Sequence, residues 1–438
     1  MNEVLKDRFI KKNAQIAIIG LGYVGLPLAI ELANVGFKVF GIDTCENKIN
    51  NIENGKSYIE SIKDESIKAV INKNLFIGND YSVISKADSI IICVPTPLNK
   101  AKEPDMSYII DATEEISRYL KEKTLVVLES TTYPGTTEEL IIDTIEKKRN
   151  YKVGKDFFAC YSPERIDPGN TKFNIQNTPK IIAGSTPICL ELGVALYDSF
   201  VERIVSVSSL KVAEVIKLFE NSFRSVNIAL VNELTQILER MNIDVWEVIE
   251  AASTKPFGFM SFYPGPGIGG HCIPLDPMYL SWRAKKENYY SRFIELSSDL
   301  NVNMTRYIVK QISNILNKKE KALKNSKILI IGIAYKKDID DLRESPAIKI
   351  YELLEEQESK VKYYDPYIDC FEYKDKVVYS QKIEKKILQE SDLVVIITDH
   401  THIDYQYIID NSRIVYDTRN ITKKYEGNNI ILLGENIK

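Results

Sequence analysis

At 438 residues the chain is longer than one hydrophobic core ordinarily serves, so about two to three domains are expected. Hydrophobic residues make up 44% and charged residues 27%, ordinary usage that excludes disorder and low-complexity scaffolds. With 57 basic and 61 acidic residues the net charge is −4, so no broad field attracts nucleic acid or an anionic membrane, and neither is expected as a partner. Apolar runs such as 89–94 and 393–397 fall far short of the roughly 20 residues of a membrane span and read as buried strands. Residues 1–13 mix both charge signs without an apolar core, so no secretory signal is visible and the cytoplasm is the expected compartment. The six cysteines, at 45, 93, 160, 189, 272 and 370, form no CxxC pair. Neither disulfides nor a zinc site is expected, and most should be small buried apolar residues, Cys272 excepted.

Residues 16–19 predict a strand, Gly20-Leu21-Gly22-Tyr23-Val24-Gly25 a turn, 26–35 a helix and 38–43 a second strand ending at Asp43. In such a βαβ unit Gly20 permits the tight turn, Gly22 lets a pyrophosphate approach the backbone, and Gly25 allows close helix packing. Asp43 would accept from a ribose 2′-hydroxyl and repel a 2′-phosphate, favouring NAD over NADP. Further strands are predicted at 89–94, 124–128, 157–160 and 180–183, in a largely parallel sheet covered on both faces. From 210 to 241 the pattern is helical without Gly or Pro, about 48 Å of helix at 1.5 Å per residue. Strands return at 327–332, 393–398 and 413–417. The expected fold is α/β: two Rossmann-like doubly wound domains joined by a central helical domain with a long helix, divided at 1–208, 209–320 and 321–438.

Three further constellations carry chemistry. Gly265-Pro266-Gly267-Ile268-Gly269-Gly270-His271-Cys272 is denser in glycine than packing readily explains, and a cysteine held there is a candidate nucleophile. Asp276, four residues on, could orient a water. Spacing alone leaves a buried cysteine in a glycine loop equally open. Lys217 and Asn221 share a helix face and could stabilise an oxyanion, or form a solvated stripe. The segments 129–137 and 161–165 follow strands, where open α/β sheets bind ligands. His400-Thr401-His402 lacks further ligand-type neighbours and reads as structural or surface; no metal is expected.

With these motifs in order, the sequence resembles the UDP-glucose/GDP-mannose dehydrogenase family from about Gln15 onward, in its N-acetylhexosamine branch. The resemblance rests on GLGYVGLPLA (20–29), CVPTPLNK (93–100), ESTTYPGTTEE (129–139), YSPERIDPGN (161–170), KPFGF (255–259), YPGPGIGGHCIPLDP (263–277) and AYKKDIDDLRESP (334–346). It implies four-electron, NAD-dependent oxidation of UDP-N-acetylglucosamine at C6 for surface polysaccharide. UDP-glucose, UDP-N-acetylmannosamine and UDP-N-acetylgalactosamine are the alternative substrates. By the same resemblance Cys272 forms a thiohemiacetal and then a thioester, Asp276 and Thr131 hold the hydrolytic water, Lys217 and Asn221 stabilise the oxyanion, and Glu164 is a general acid/base. The implied cofactor contacts are Gly20, Gly22, Tyr23, Val24, Gly25, Asp43, Lys48, Pro95, Thr96, Ser130, Thr131 and Arg343. Substrate contacts are implied at Glu164, Arg165, Lys217, Asn221, Tyr263, Gly265, Gly267, Gly269, Lys336 and Arg419, and a homodimer or higher homo-oligomer is expected. Two positions depart from the family: Pro256 stands where UDP-glucose dehydrogenases carry a sugar-contacting arginine, and Pro168 where they carry a glutamate near the cofactor.

Overall fold

A computed structural model describes residues 2–59, 62–99, 101–166, 170 and 172–436; Pro168 lies outside them. The chain forms two compact units, one running to Glu220 and adding Met278–Tyr290, the other comprising Asn221–Pro277 and Ser291 onward. The division falls within the long helix Leu210–Met241, whose bounds are those its uninterrupted apolar periodicity predicts.

The first unit is built on an eight-stranded sheet of β1 (Gln15–Ile19), β2 (Lys38–Ile42), β3 (Leu75–Gly78), β4 (Ser89–Ile92), β5 (Leu125–Leu128), β6 (Phe158–Tyr161), β7 (Lys180–Gly184) and β8 (Ile204–Ser206). Their order is β3-β2-β1-β4-β5-β6-β7-β8. The reversal between β1 and β4 makes a switch point, where an open sheet of this kind receives its ligand. β4, β5 and β6 are buried at every residue. Both sheet faces are covered, Ile16 and Ile18 packing in one apolar cluster and Ala17 and Ile19 in another, the arrangement a parallel sheet needs. One pairing in this sheet is antiparallel, β6 with β7, in the register Cys160↔Gly184 and Tyr161↔Ala183.

The second unit holds a parallel sheet of β9 (Lys327–Ile331), β10 (Lys360–Tyr364), β13 (Leu393–Ile396), β14 (Val415–Asp417) and β15 (Ile430–Leu432), in the order β10-β9-β13-β14-β15. A separate hairpin is formed by β11 (Cys370–Tyr373) and β12 (Lys376–Tyr379). Counted within the unit, the main order is 2-1-3-4-5, a doubly wound sheet with its own switch point between β9 and β13. Helices Val245–Ser253 and Arg292–Asn317 pack in this unit, Trp246 donating its indole N–H to the Leu433 carbonyl at 3.0 Å. No helix among the described residues is long and apolar enough to cross a membrane.

One expectation is corrected. Cys93, Cys160 and Cys189 are buried, but Cys45 and Cys370 are exposed along with Cys272. Cys45 begins a surface helix and Cys370 points outward from a hairpin, so neither has a core to join. Of the structural and surface roles expected for His400, the structural one holds: it is fully buried, and its Nδ1 accepts from the Asp338 N–H at 3.0 Å, which leaves Nε2 to donate to Asp365 at 3.0 Å.

Asp365 is the centre of this arrangement, accepting also from the N–H groups of Ile333, Ala334, Tyr367 and Ile368. Burial would raise its carboxyl, but His400 and these N–H groups hold it below the ordinary 3.8. A depressed folded value means that its stabilisation is complete above the unfolded value and is lost as pH falls through the folded one. The urea midpoint of the second unit should therefore fall more steeply in wild type than in Asp365→Asn between about pH 6 and pH 3. Identical pH dependence of the two proteins would contradict this reading.

Candidate active site

The glycine turn after β1 is shaped from within. Gly20 has φ +89°, and a Cβ there would lie 2.7 Å from the Cys93 carbonyl oxygen. Asp43, just past β2 and buried, accepts from the Leu21 N–H at 2.8 Å, the Cys45 N–H at 2.9 Å and the Lys48 ammonium at 3.1 Å. The Tyr58 hydroxyl donates to the Leu21 carbonyl. Helix Gly25–Asn34 has neither an acidic residue in its first turn nor a capping side chain, so the positive field of its amino end stays available to an anion. Gly22 faces open space, with nothing within 4 Å of a Cβ placed on it. An anion-favouring helix end, an open approach over Gly22 and a carboxylate with spare lone pairs for a ribose hydroxyl together fit NAD. Tyr23 and Val24 are half-buried in the same turn.

The carboxyl ends of β4, β5 and β6 carry the other predicted residues of this unit. Pro95 is exposed and Thr96 buried, its carbonyl accepting from the Tyr279 hydroxyl at 2.8 Å. Ser130 donates to the Val94 carbonyl at 2.7 Å. Thr131 is half-buried, and its hydroxyl has no partner among the described residues. Glu164 accepts from the Arg165 and Ile166 N–H groups at 2.6 and 2.7 Å and faces the Lys180 ammonium at 3.0 Å. Burial would raise its carboxyl, but Lys180, the Ile166 N–H and the charge of Lys217 hold it below the usual carboxylate range. Arg165 is committed to Glu220 at 2.6 Å and to the Pro179 carbonyl at 2.8 Å. Lys217 is 8% exposed, and among the described residues its ammonium has neither a hydrogen bond nor an ion pair. A cation left in that state marks a place where negative charge is wanted.

The long helix is tied to the Thr131 segment by Glu214. Its carboxylate accepts from the Gly135 N–H at 2.6 Å, the Thr137 N–H at 2.9 Å and the Thr137 hydroxyl at 2.7 Å, capping the π-helical turn Thr137–Ile142. Burial nevertheless pushes this carboxyl up.

In the second unit Cys272 is exposed and opens the helix Cys272–Lys286, whose amino end favours negative charge. One turn on, Asp276 is buried and accepts from the Asn221 side-chain amide at 2.6 Å. The glycine loop before Cys272 has packing reasons of its own, contrary to expectation. A Cβ on Gly265 would lie 2.7 Å from an Arg419 guanidinium nitrogen, and one on Gly269 would lie 2.6 Å from Tyr335 Cβ. Gly267 would meet the Asn301 carbonyl at 3.1 Å. The Gly270 N–H donates to the Arg343 carbonyl at 2.9 Å, and the Gly265 N–H to Asn232 at 3.0 Å. The loop is thus pressed against 335–344 and Arg419, so glycine serves packing as well as ligand approach.

Arg419 donates through Nε to the Ile397 carbonyl at 2.7 Å and has no ion-pair partner among the described residues. Lys336 is half-buried in the same unit, while the exposed Arg343 is bound to Asp341 at 2.6 Å. Tyr263 is half-exposed, stacked on Trp246 with centroids 6.3 Å apart, and Pro256 is exposed with the rest of KPFGF.

Sequence reasoning gave no role to Lys180, Glu129, Tyr197, Glu214 or Asn232. The available signal was charge at the edge of apolar runs, Glu129 after LVVL and Lys180 before IIAG.

Comparison with known proteins agrees with this geometry. Residues 14–201 match the NAD binding domain of the UDP-glucose/GDP-mannose dehydrogenase family, 211–303 its central domain and 329–424 its UDP binding domain. The chain belongs to that family, and is an NAD-dependent UDP-sugar dehydrogenase. It is 36% identical over 438 residues to a UDP-N-acetyl-D-mannosamine dehydrogenase of Methanococcus maripaludis, covering 96% of this chain and 97% of the relative. It is also 36% identical over 360 residues to a UDP-N-acetyl-D-glucosamine 6-dehydrogenase of Pseudomonas aeruginosa, covering 82% and 84%. Among solved structures, the UDP-D-ManNAc dehydrogenase of Pyrococcus horikoshii superposes with a TM-score of 0.87 at 32% identity, covering 97% of this chain and 100% of that one.

The second and third glycines of the turn should respond differently to substitution. Gly22→Ala should fold with near wild-type stability yet raise KM for NAD at least about tenfold, since the added methyl enters open ligand space. Gly25→Ala would place its Cβ 1.8 Å from the Gly20 carbonyl oxygen, so the turn must move. It should lose about 1–3 kcal/mol of stability as well as NAD affinity. Melting temperature and NAD titration of both variants check this, and unchanged NAD affinity in Gly22→Ala would count against the assigned approach.

Proposed function

We propose that the chain oxidises UDP-N-acetylglucosamine at C6 to the uronic acid, and the observation that carries the reading is the pairing of Cys272 at a helix amino end with Asp276 held by Asn221 one turn away. Bound NAD⁺ supplies the hydride acceptor for each of two oxidations. Glu164 takes the C6 hydroxyl proton in the first, giving the aldehyde. The Cys272 thiolate adds to the aldehyde carbon, and Lys217 and Asn221 stabilise the oxygen of the thiohemiacetal. Loss of the second hydride leaves a thioester on Cys272. Asp276 and Thr131 are assigned to the water that cleaves it, regenerating the thiol. The balance is one alcohol, two NAD⁺ and one water giving one carboxylate, two NADH and three protons. Arg419 and Lys336 are assigned to the nucleotide phosphates, as their cationic ends in the UDP-binding unit support.

The KPFGF segment and the resemblance of the whole motif set support the gluco sugar. A second reading, the same reaction on UDP-N-acetylmannosamine, is favoured by the relative of that name matching the greater share of the chain. The product would serve surface polysaccharide synthesis in the cytoplasm. Phe219, Phe223, Leu230, Ile237 and Met241, all exposed on the long helix, support a homo-oligomer built along it.

NADH formed to the endpoint with UDP-N-acetylglucosamine should reach two per sugar, with a carboxylate identified by mass. Cys272→Ser should make no acid. Turnover of the manno epimer alone would move the assignment to the second reading, and one NADH per sugar would overturn the thioester route.

A further inference from the structure

At the carboxyl edge of the first sheet, Glu164 belongs to a buried cluster of charge whose other members, Lys180, Glu129 and Tyr197, the reaction scheme leaves unused. Lys180 is 5% exposed and donates to Glu129 at 2.9 Å and to Glu164 at 3.0 Å. The second oxygen of Glu129 accepts from the Tyr197 hydroxyl, and the ammonium lies 5.4 Å from the Tyr197 ring centroid. Two carboxylates thus share one ammonium. Cys93, just past β4, and Lys217 from the long helix also face the cluster, and Arg165 beside Glu164 is neutralised by Glu220.

The sheet topology explains how Lys180 reaches that place. Lys180 is the first residue of β7, and the first residue of a parallel strand would sit at the opposite, amino edge, away from Glu129 and Glu164. The antiparallel register of β6 and β7, Cys160↔Gly184 and Tyr161↔Ala183, extends to set residue 164 opposite residue 180. The Ser162 hydroxyl, donating to the Ile181 carbonyl at 2.8 Å, continues that pairing. The single antiparallel pairing in the sheet therefore delivers a cation to the edge where the chemistry is assigned.

We propose that Lys180 is a positioning residue that keeps Glu164 ionised and aimed as the base, and that Glu129 and Tyr197 anchor the Lys180 ammonium in place. This rests on the assignment of Glu164 as base. A buried carboxylate without a cation would take up a proton and lose its function as a proton acceptor. Lys180 opposes that directly, and the two N–H groups on the other oxygen of Glu164 fix its orientation. Burial raises the Glu129 carboxyl, despite Lys180, while Glu164 stays low, so the two acids are driven apart.

The test is the pH dependence of kcat in the full-length enzyme, following NADH with UDP-N-acetylglucosamine and NAD⁺ at saturation, with UDP-N-acetylmannosamine run in parallel. Lys180→Met should move the acid limb of the profile upward by about one pH unit or more. Lys180→Arg should keep the limb near wild type, and Glu129→Gln, which removes the competing carboxylate, should not raise it. If Lys180→Met fails to fold, Lys180→Gln, with a hydrogen-bonding end, makes the same comparison. A limb unmoved on loss of the ammonium would overturn the proposal, as would limbs raised equally by Lys180→Met and Glu129→Gln. Glu164→Gln separates the two levels of the argument. A lowered kcat with unmoved limbs in the Lys180 variants sinks the positioning role alone, whereas full activity in Glu164→Gln sinks the base assignment and this proposal with it.

Discussion

A backbone N–H in a tight turn must find an acceptor when water is excluded, and in each unit one buried carboxylate meets that need at the first turn of the sheet. Asp43, past β2, accepts from the Leu21 N–H after Gly20; Asp365, past β10, accepts from the Ile333 and Ala334 N–H groups after Gly332. The same device appears twice, at the carboxyl end of the strand beside the first strand of each sheet. It holds the turn open for a ligand without filling the space with a side chain. What differs is the support: Lys48 lies against Asp43, whereas His400 and Asp338 back Asp365.

Charge is distributed along the first unit's edge by the same logic of paired and unpaired groups. Glu214 spends its carboxylate on a helix turn, Glu129 on Lys180 and Tyr197, and Arg165 on Glu220, so these groups build the frame. Lys217 and Thr131 have side chains without such commitments among the described residues, which suits the roles proposed for them. In the second unit Asp276 is oriented by Asn221, and the glycine loop before Cys272 is fixed by contacts from 335–344 and Arg419. Cys272, the proposed nucleophile, follows a tightly packed loop and would start from a defined position, which lowers the cost of reaching a reactive geometry.

The sequence made local, strongly periodic features legible. The glycine turn, the strands lying wholly in the core and the helix Leu210–Met241 follow from patterns within a few dozen residues. The hairpin Cys370–Tyr373 with Lys376–Tyr379 has strands of only four residues, mostly exposed or half-buried, and the strand Ile204–Ser206 has three residues. Lys180 was legible as the start of a strand but not as a partner of Glu129, 51 residues away, because that contact depends on an antiparallel reversal which composition does not record. The glycines before Cys272 gave the loop away, but the part of their density owed to Tyr335 and Arg419 becomes visible only when those residues are in place.

Covalent chemistry at Cys272 is the step on which the proposed reaction depends, and the most direct measurement is the mass of the peptide containing it after the reaction is quenched. With Asp276→Asn slowing hydrolysis, UDP-N-acetylglucosamine and NAD⁺ should leave an acyl adduct on Cys272 that hydroxylamine removes. Acid formation with no adduct on Cys272 at any time, together with an active Cys272→Ser variant, would contradict it.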